Sequence, residues 1–255
     1  MITIKTKEEI ATLREGGKIH ASILRELARM VMPGVTSFQL EEKARELVEE
    51  KGDKGAFLNY RPSGNKMPYP AVLCVSVNDE VVHGIPNDKE KILQEGDIVT
   101  LDLGLVHKGL ITDAAVTVPV GNISKDLFDL LDVTKKALYA GIKVAKDGCT
   151  TGDIGEAISR FAISNNYGIV EELCGHGVGY SVHEDPYVPN YGEKGKGEVL
   201  KSGAVIAIEP IFNLGSPKVK LDLDGYTYRT ADGKPSAHFE HTVVITKSGA
   251  EILTE

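Results

Sequence analysis

The chain has 255 residues and carries 29 Lys and Arg against 37 Asp and Glu, a formal net charge of −8. Its 42% hydrophobic and 26% charged residues are those of an ordinary globular protein, long enough to bury a core without a disulfide or zinc staple. The acidic balance argues against direct nucleic-acid recognition, which depends on neutralising phosphates. Three widely spaced cysteines (Cys74, Cys149, Cys174) give neither a disulfide framework nor a Cys-type zinc site. The N-terminus is charged, and no apolar run reaches the roughly 18–20 residues of a membrane span, so the expected location is the reducing cytoplasm.

In chain order, apolar residues at helical spacing predict helices over 7–31 and 37–51. Alternating stretches rich in Val, Ile and Thr then predict strands over 71–82, 97–106 and 110–120. The same order recurs, with helices over 124–146 and 151–166 and strands over 203–211 and 238–246. Runs of helices followed by runs of strands imply an α+β protein with a largely antiparallel sheet. No Pro/Ser-rich linker divides the chain, so the expectation is a single domain, 1–255, of two related halves, about 1–121 and 122–255.

Local matches support that duplication. Residues 33–40 resemble 147–154: in both, Gly ends one helix and a Thr/Ser pair caps the next. The stretch from Leu93 to Asp102 resembles Leu200 to Glu209, and Asp113 to Val118 resembles Glu240 to Ile245. Leu73-Cys74, Val82-His83 and Pro86 likewise match Leu173-Cys174, Val182-His183 and Pro186. Four matches in one order point to two copies of one unit, with a site between them receiving equivalent side chains from each.

The duplication singles out acidic residues. Asp102 and Glu209 are equivalent, as are Asp113 and Glu240, each on a predicted apolar strand where an unpaired carboxylate is costly. Taken singly, any of them reads as a salt-bridged or turn residue; four at symmetric places call for a cation. Asp102 and Asp113 flank a turn near His107-Lys108-Gly109. A register that places them directly opposite each other sets them about 4.5–5.5 Å apart. A one-residue slip sends them to opposite faces unless a bulge intervenes. Asp97 reads as structural, because its counterpart is Ala204.

Of seven histidines, His176 lies in Cys174-Gly-His-Gly-Val-Gly179, where glycines let backbone approach closely and leave the imidazole exposed. His83 and His183 are equivalent in the duplication, each followed three residues later by Pro. His20 and His107 read as structural, His241 points away from Glu240, and His238 shares the Glu240 face without a counterpart. The resulting ligand set is Asp102, Asp113, His176, Glu209 and Glu240. It is oxygen-rich, favours Mn²⁺, Fe²⁺ or Co²⁺ over a thiolate-type zinc site, and suits a two-metal centre.

Several motifs together resemble the type I methionine aminopeptidases. They are Leu101-Asp102-x-Gly104, Thr112-Asp113-Ala114-Ala115-x-Thr117, Gly175-His176-Gly-Val-Gly179, His183-Glu184-x-Pro186, Ile208-Glu209-Pro210 and Phe239-Glu240-His241-Thr242. Asn78-x-Glu80-Val-Val-His83-Gly84-Ile85-Pro86 and Thr246-x-x-Gly249-x-Glu251-Ile252-Leu253 extend the resemblance from about residue 3 to the end. It implies the two-halved pita-bread fold and a short bacterial form that removes initiator methionine from nascent chains when the second residue is small. It also implies two divalent cations (Co²⁺, Mn²⁺, Fe²⁺ or Zn²⁺), with Asp102 bidentate to one, Asp113 and Glu240 bridging, and His176 and Glu209 completing the other. Glu209 is then the proton shuttle, and His83 and His183 hydrogen-bond the substrate or the tetrahedral intermediate. Tyr69, Cys74 and Tyr226 form the methionine pocket.

The sequence departs from that family at three places. Segment 61–68 is longer than the usual loop, Val182 precedes His183 where bacterial members commonly carry an aromatic residue, and Tyr226 stands where several carry Trp. An altered pocket shape is the consequence expected. The resemblance also implies a cytoplasmic monomer acting on nascent-chain N-termini, with transient ribosome contact. Alternatives are an Xaa-Pro aminopeptidase or prolidase, and a non-enzymatic binding module on the same fold. A mononuclear iron oxygenase fits poorly, since the set holds too many carboxylates.

Overall fold

The computed structural model describes residues 1–62 and 67–255. Four helices, α1 (Lys7–Met30), α2 (Ser37–Glu50), α3 (Lys125–Val144) and α4 (Thr151–Asn165), match the predicted spans within two residues at each end. Their starts follow from local chemistry. Thr6, Thr36 and Thr150 each accept from the third helical amide, while the side chain at that position (Glu9, Gln39, Asp153) accepts from the cap's own amide. Ser124 caps α3 by accepting from Leu127. The glycines expected to end α1 and α3 lie further on: the helices stop at Met30 and Val144, and Gly34 and Gly148 take left-handed φ values of 90° and 80° in the connecting turns.

The strands are β1 (Lys54–Gly55), β2 (Leu73–Val77), β3 (Glu80–Val82), β4 (Ile98–His107), β5 (Leu110–Pro119), β6 (Gly168–Ile169), β7 (Gly175–Gly177), β8 (Glu184–Val188), β9 (Val205–Ile208) and β10 (Ile211–Asn213). They continue with β11 (Val219–Leu221), β12 (Tyr228–Thr230), β13 (Ser236–His238), β14 (His241–Ile245) and β15 (Ala250–Ile252). Every pairing among the described residues is antiparallel, in two larger ladders, β1-β4-β2 with β5 on β4 and β15-β14-β9-β7-β8, and two three-stranded ones. Three predicted strands are broken in two. Segment 71–82 folds back at Asn78, whose φ is 54°; 203–211 breaks at Glu209-Pro210; and 238–246 breaks at Phe239-Glu240. Pro210 has no N–H for a ladder, so the chain leaves the sheet of β9 and β14 and joins that of β13 and β6.

The hairpin between β4 and β5 settles the register. Lys108 and Gly109 have φ values of 48° and 85°, as a two-residue type I′ turn requires, so His107 pairs with Leu110. Asp102 therefore lies opposite Ala115 and Asp113 opposite Gly104. The two carboxylates share a face as expected, but as a diagonal pair and not directly opposed.

Connections in the two parts of the chain repeat one another. Gly34 N–H donates to Leu93 C=O and Gly148 N–H to Leu200 C=O, each at 2.8 Å. Leu93 and Leu200 return bonds to Val35 and Cys149, and Gly96 and Gly203 donate to Val120 and Ile245. One apolar core lies between α1, α2 and the sheet of β2, β4 and β5; a second joins α3 and α4 to β9, β13 and β14. Glu41 on α2 ties helix to sheet, its buried carboxylate accepting from the amides of Val72 and Leu73. Among the described residues no helix is long and apolar enough to cross a membrane.

Candidate active site

Asp102 and Asp113 enter from the paired strands β4 and β5, Glu209 and Glu240 from the two strand breaks, and His176 from β7. All five line one cavity of about 130 Å³ and are buried, from 3% exposed for Asp113 and Glu240 to 8% for Glu209. The strand breaks matter here. A regular strand alternates its side chains between faces, whereas Glu209 and Glu240, each followed by a change of ladder, both reach the cavity. Ligand atoms of Asp113, His176 and Glu240 lie within 4.8 Å of one another, and His176 Nε2 is 3.4 Å from Glu209 Oε1.

His176 is buried, contrary to the exposure expected from its flanking glycines. Gly175 and Gly177 instead serve strand packing, since a Cβ on either would come within 2.4 Å of a backbone oxygen, that of Ala207 or Asp185. Its Nδ1 lies 3.0 Å from the Gly177 carbonyl, so that nitrogen carries the proton and Nε2 offers a lone pair toward Glu209. Burial lowers the pKa of His176 to about 3, so the pair is not an ion pair. A lone pair facing a carboxylate oxygen is repulsive unless a proton or a metal cation lies between them, and both atoms are of types that ligate metal.

The carboxylates make the same demand. Burial raises the pKa of Asp102 to about 7. Burial, and next the charge of a neighbouring Asp, push Asp113, Glu209 and Glu240 well above the usual carboxylate range. Among the described residues no Lys or Arg forms an ion pair with any of the four, and Asp102 Oδ1, Asp113 Oδ1 and Glu240 Oε1 have no hydrogen-bond partner. Clustered carboxyl oxygens with neither donors nor a Lys or Arg beside them fit a divalent cation's coordination sphere.

His83 and His183 also line the cavity. The His183 ring is 4.5 Å from that of His176, and its Nδ1 is 2.8 Å from the Tyr60 hydroxyl. His83 holds a φ of 58°, unusual for a residue with a Cβ and consistent with a backbone constrained at a functional site. Burial lowers its pKa to about 4 and that of His183 below the ordinary value, so both are neutral hydrogen-bonding groups.

Tyr69, Cys74 and Tyr226 form an apolar cluster with Ala71 and Ile85, against which Phe57 packs. The Tyr69 and Tyr226 rings meet edge to face at 5.2 Å. Burial holds the Cys74 thiol well above its ordinary pKa, and that of Cys174 at about 11, so both are neutral wall groups and not nucleophiles. Segment 61–68 lies partly outside the described residues; at its ends Pro62 lines the cavity and the Met67 carbonyl accepts from the Tyr226 hydroxyl. Val182 is buried and does not line the cavity.

Two residues escaped sequence reasoning. His238 is 2% exposed, lines the cavity, and places Nε2 3.6 Å from Glu209 and 3.7 Å from Glu240, with neither ring nitrogen hydrogen-bonded. The signal available was its position two residues before Glu240. Tyr60 is the other, and no local pattern ties it to His183, 123 residues away. The remaining histidines are structural: His20 bonds Thr112, His107 bonds Asp53, and His241 bonds Thr254. Asp97 accepts from Gln94 and Asn78 at a turn.

The model of metallopeptidase family M24 matches residues 11–247. A methionine aminopeptidase of Aquifex aeolicus is 44% identical over 100% of this chain and 99% of its own length. The crystal structure of methionine aminopeptidase from Thermotoga maritima superposes with a TM-score of 0.95 at 43% identity, covering 100% of both chains. The prolidase from Pyrococcus furiosus is more distant, with a TM-score of 0.78 and 25% identity over 99% of this chain and 65% of that one. The chain belongs to metallopeptidase family M24 and, within it, to the methionine aminopeptidases. Its fold is the pita-bread fold, and it is a metal-binding hydrolase.

Proposed function

We propose that this chain removes the N-terminal methionine from nascent proteins whose second residue is small. The observation that carries this reading is a cage of four buried carboxylates and one imidazole opening onto an apolar pocket. In our reading the cage holds two divalent ions, Co²⁺, Mn²⁺, Fe²⁺ or Zn²⁺. Asp102, Asp113, His176, Glu209 and Glu240 would hold them. Bound there, the cations offset the carboxylate charge, polarise the first peptide carbonyl and acidify solvent.

The chain's own groups do the rest. Glu209 takes a proton from the attacking water and passes it to the leaving amine as the C–N bond breaks. Neutral His183 and His83 hydrogen-bond the scissile peptide and the developing oxyanion. The Tyr60 hydroxyl lies 2.8 Å from Nδ1, and its donation there would leave the His183 proton on Nε2, the tautomer a donor needs. Tyr69, Cys74 and Tyr226 receive the unbranched thioether side chain, which adapts to an irregular apolar wall. Loss of the Tyr60 hydroxyl in Tyr60→Phe is expected to lower kcat/KM about 2- to 10-fold, the value of one hydrogen bond, with no loss of bound metal. Steady-state kinetics and metal analysis of the variant check this.

We further read the chain as one domain of two related halves, 1–121 and 122–255, supported by the paired turn bonds of Gly34 and Gly148. A cytoplasmic monomer in transient contact with the ribosome is the setting proposed. The net charge of −8 supports the absence of direct nucleic-acid recognition, and we propose no membrane association. Release of Met from Met-Ala-Ser after reconstitution with Mn²⁺, Fe²⁺ or Co²⁺ is the expected result. No release with any of the three rejects the activity, and cleavage of Ala-Pro substrates in its place points to a prolidase.

A further inference from the structure

The two parts of the chain meet beside the carboxylates through an unusual set of hydrogen bonds. Thr242 Oγ1 accepts from Asp113 N–H at 2.8 Å and donates to Asp113 C=O at 2.6 Å. Thr117 Oγ1 accepts from His238 N–H at 2.9 Å and donates to His238 C=O at 2.7 Å. Between these two clamps, Glu240 N–H donates directly to Ala115 C=O at 2.9 Å. Positions 113, 115 and 117 thus face 242, 240 and 238, an antiparallel crossing in which threonine hydroxyls replace the backbone rungs at both ends.

Each acidic residue assigned to bridge the metals has its own amide held by the other half: Asp113 by Thr242, and Glu240 by Ala115. The Thr117 hydroxyl has no spare capacity. With the Thr100 hydroxyl also donating to it at 2.8 Å, Thr117 uses its one proton and both lone pairs. Thr100, Thr117 and Thr242 are all 3% exposed or less, so water does not compete for these bonds. Backbone rungs alone draw strands to about 4.7–4.9 Å; the direct Glu240–Ala115 rung fixes the register, and the interposed hydroxyls hold a wider gap on either side of it. That gap lies beside Asp113 and Glu240, whose ligand atoms lie with that of His176 within 4.8 Å of one another.

We propose that Thr117 and Thr242 are positioning residues that set the spacing of the metal-binding carboxylates across the two halves. This rests on the reading that Asp113 and Glu240 hold divalent metal. Removing a hydroxyl leaves an amide and a carbonyl of a ligand-bearing segment unpartnered, and the segment can then shift toward direct backbone pairing. Outer-sphere partners of metal ligands typically control affinity 10- to 100-fold.

The test is calorimetric titration of Mn²⁺ into the metal-stripped full chain and its variants, with the visible spectrum of the Co²⁺ form as a second readout. Thr242→Val and Thr117→Val, which keep the side-chain volume, are expected to weaken Mn²⁺ binding about 10- to 100-fold and to alter the Co²⁺ bands. Thr242→Ser, which keeps the hydroxyl, is expected to restore both. Thr134→Val is the control, since buried Thr134 spends its hydroxyl on Leu130 C=O within α3. It is expected to lower Tm without changing Mn²⁺ affinity. If Thr242→Val does not fold, Thr117→Val decides. Parental Mn²⁺ affinity in the folded Val variants, or an equal loss in Thr134→Val, overturns the clamp while leaving the metal centre standing. A parent chain that binds no Mn²⁺ overturns both.

Discussion

Glu209→Gln is expected to lower kcat for Met-Ala-Ser about 10²- to 10⁴-fold, the range of a lost general acid–base group. The amide keeps the shape and one oxygen donor of the carboxylate but accepts no proton at neutral pH. Glu209 belongs at the centre of the reaction because it is buried, faces His176 Nε2 at 3.4 Å, and stands at a strand break that turns it into the cavity. Metal analysis alongside the kinetics separates lost proton transfer from lost metal. A folded, metal-loaded Glu209→Gln protein with kcat within a few-fold of the parent contradicts the assignment.

Removing the metal is expected to destabilise the fold as well as stop the reaction. A ligand that binds only the native state at 1,000 times its Kd adds about 4 kcal/mol, enough to move Tm by several degrees. The stripped protein should also show a particular pH dependence. Its four carboxylates have folded-state pKa values raised by burial, Asp102 to about 7. At acid pH they are protonated in both states; as pH rises from about 4, the unfolded chain ionises first and the folded state loses ground. Tm of the stripped protein is therefore expected to fall between pH 6 and 8, and saturating Mn²⁺ to remove most of that fall. Differential scanning fluorimetry with and without chelator reads both effects, and identical pH profiles in the two states contradict them.

Much of this architecture was legible before any coordinates. Helix boundaries followed from capping residues such as Thr36 and Thr150, because a cap is a local device that needs nothing distant. Asp102 and Asp113 were found because they lie on one long hairpin whose apolar alternation sets their face. The exact register stayed open, since a turn at His107-Lys108 or at Lys108-Gly109 keeps both carboxylates on one face, and the positive φ at Lys108 and Gly109 decides for the second. Glu209 and Glu240 were recognised by their counterparts but placed inside continuous strands. Their approach depends on ladder switches at Pro210 and Phe239, which are settled by partners elsewhere in the chain.

The contribution of His238 was illegible for a different reason. It has no counterpart in the first half, and its alternation with Glu240 predicted a shared face without saying which groups that face would meet. Tyr60 reaches His183 only through tertiary folding of a segment with no regular structure. The clamps of Thr117 and Thr242 had no sequence signal either, because buried threonine in a strand is unremarkable until its partners are known.

Anomalous diffraction from crystals of the Mn²⁺-loaded protein tests the central claim most directly. Two peaks about 3.5–4 Å apart, with oxygens of Asp113 and Glu240 between them and His176 Nε2 on one, are the result expected. Manganese bound elsewhere, with these five side chains uncoordinated, contradicts the account.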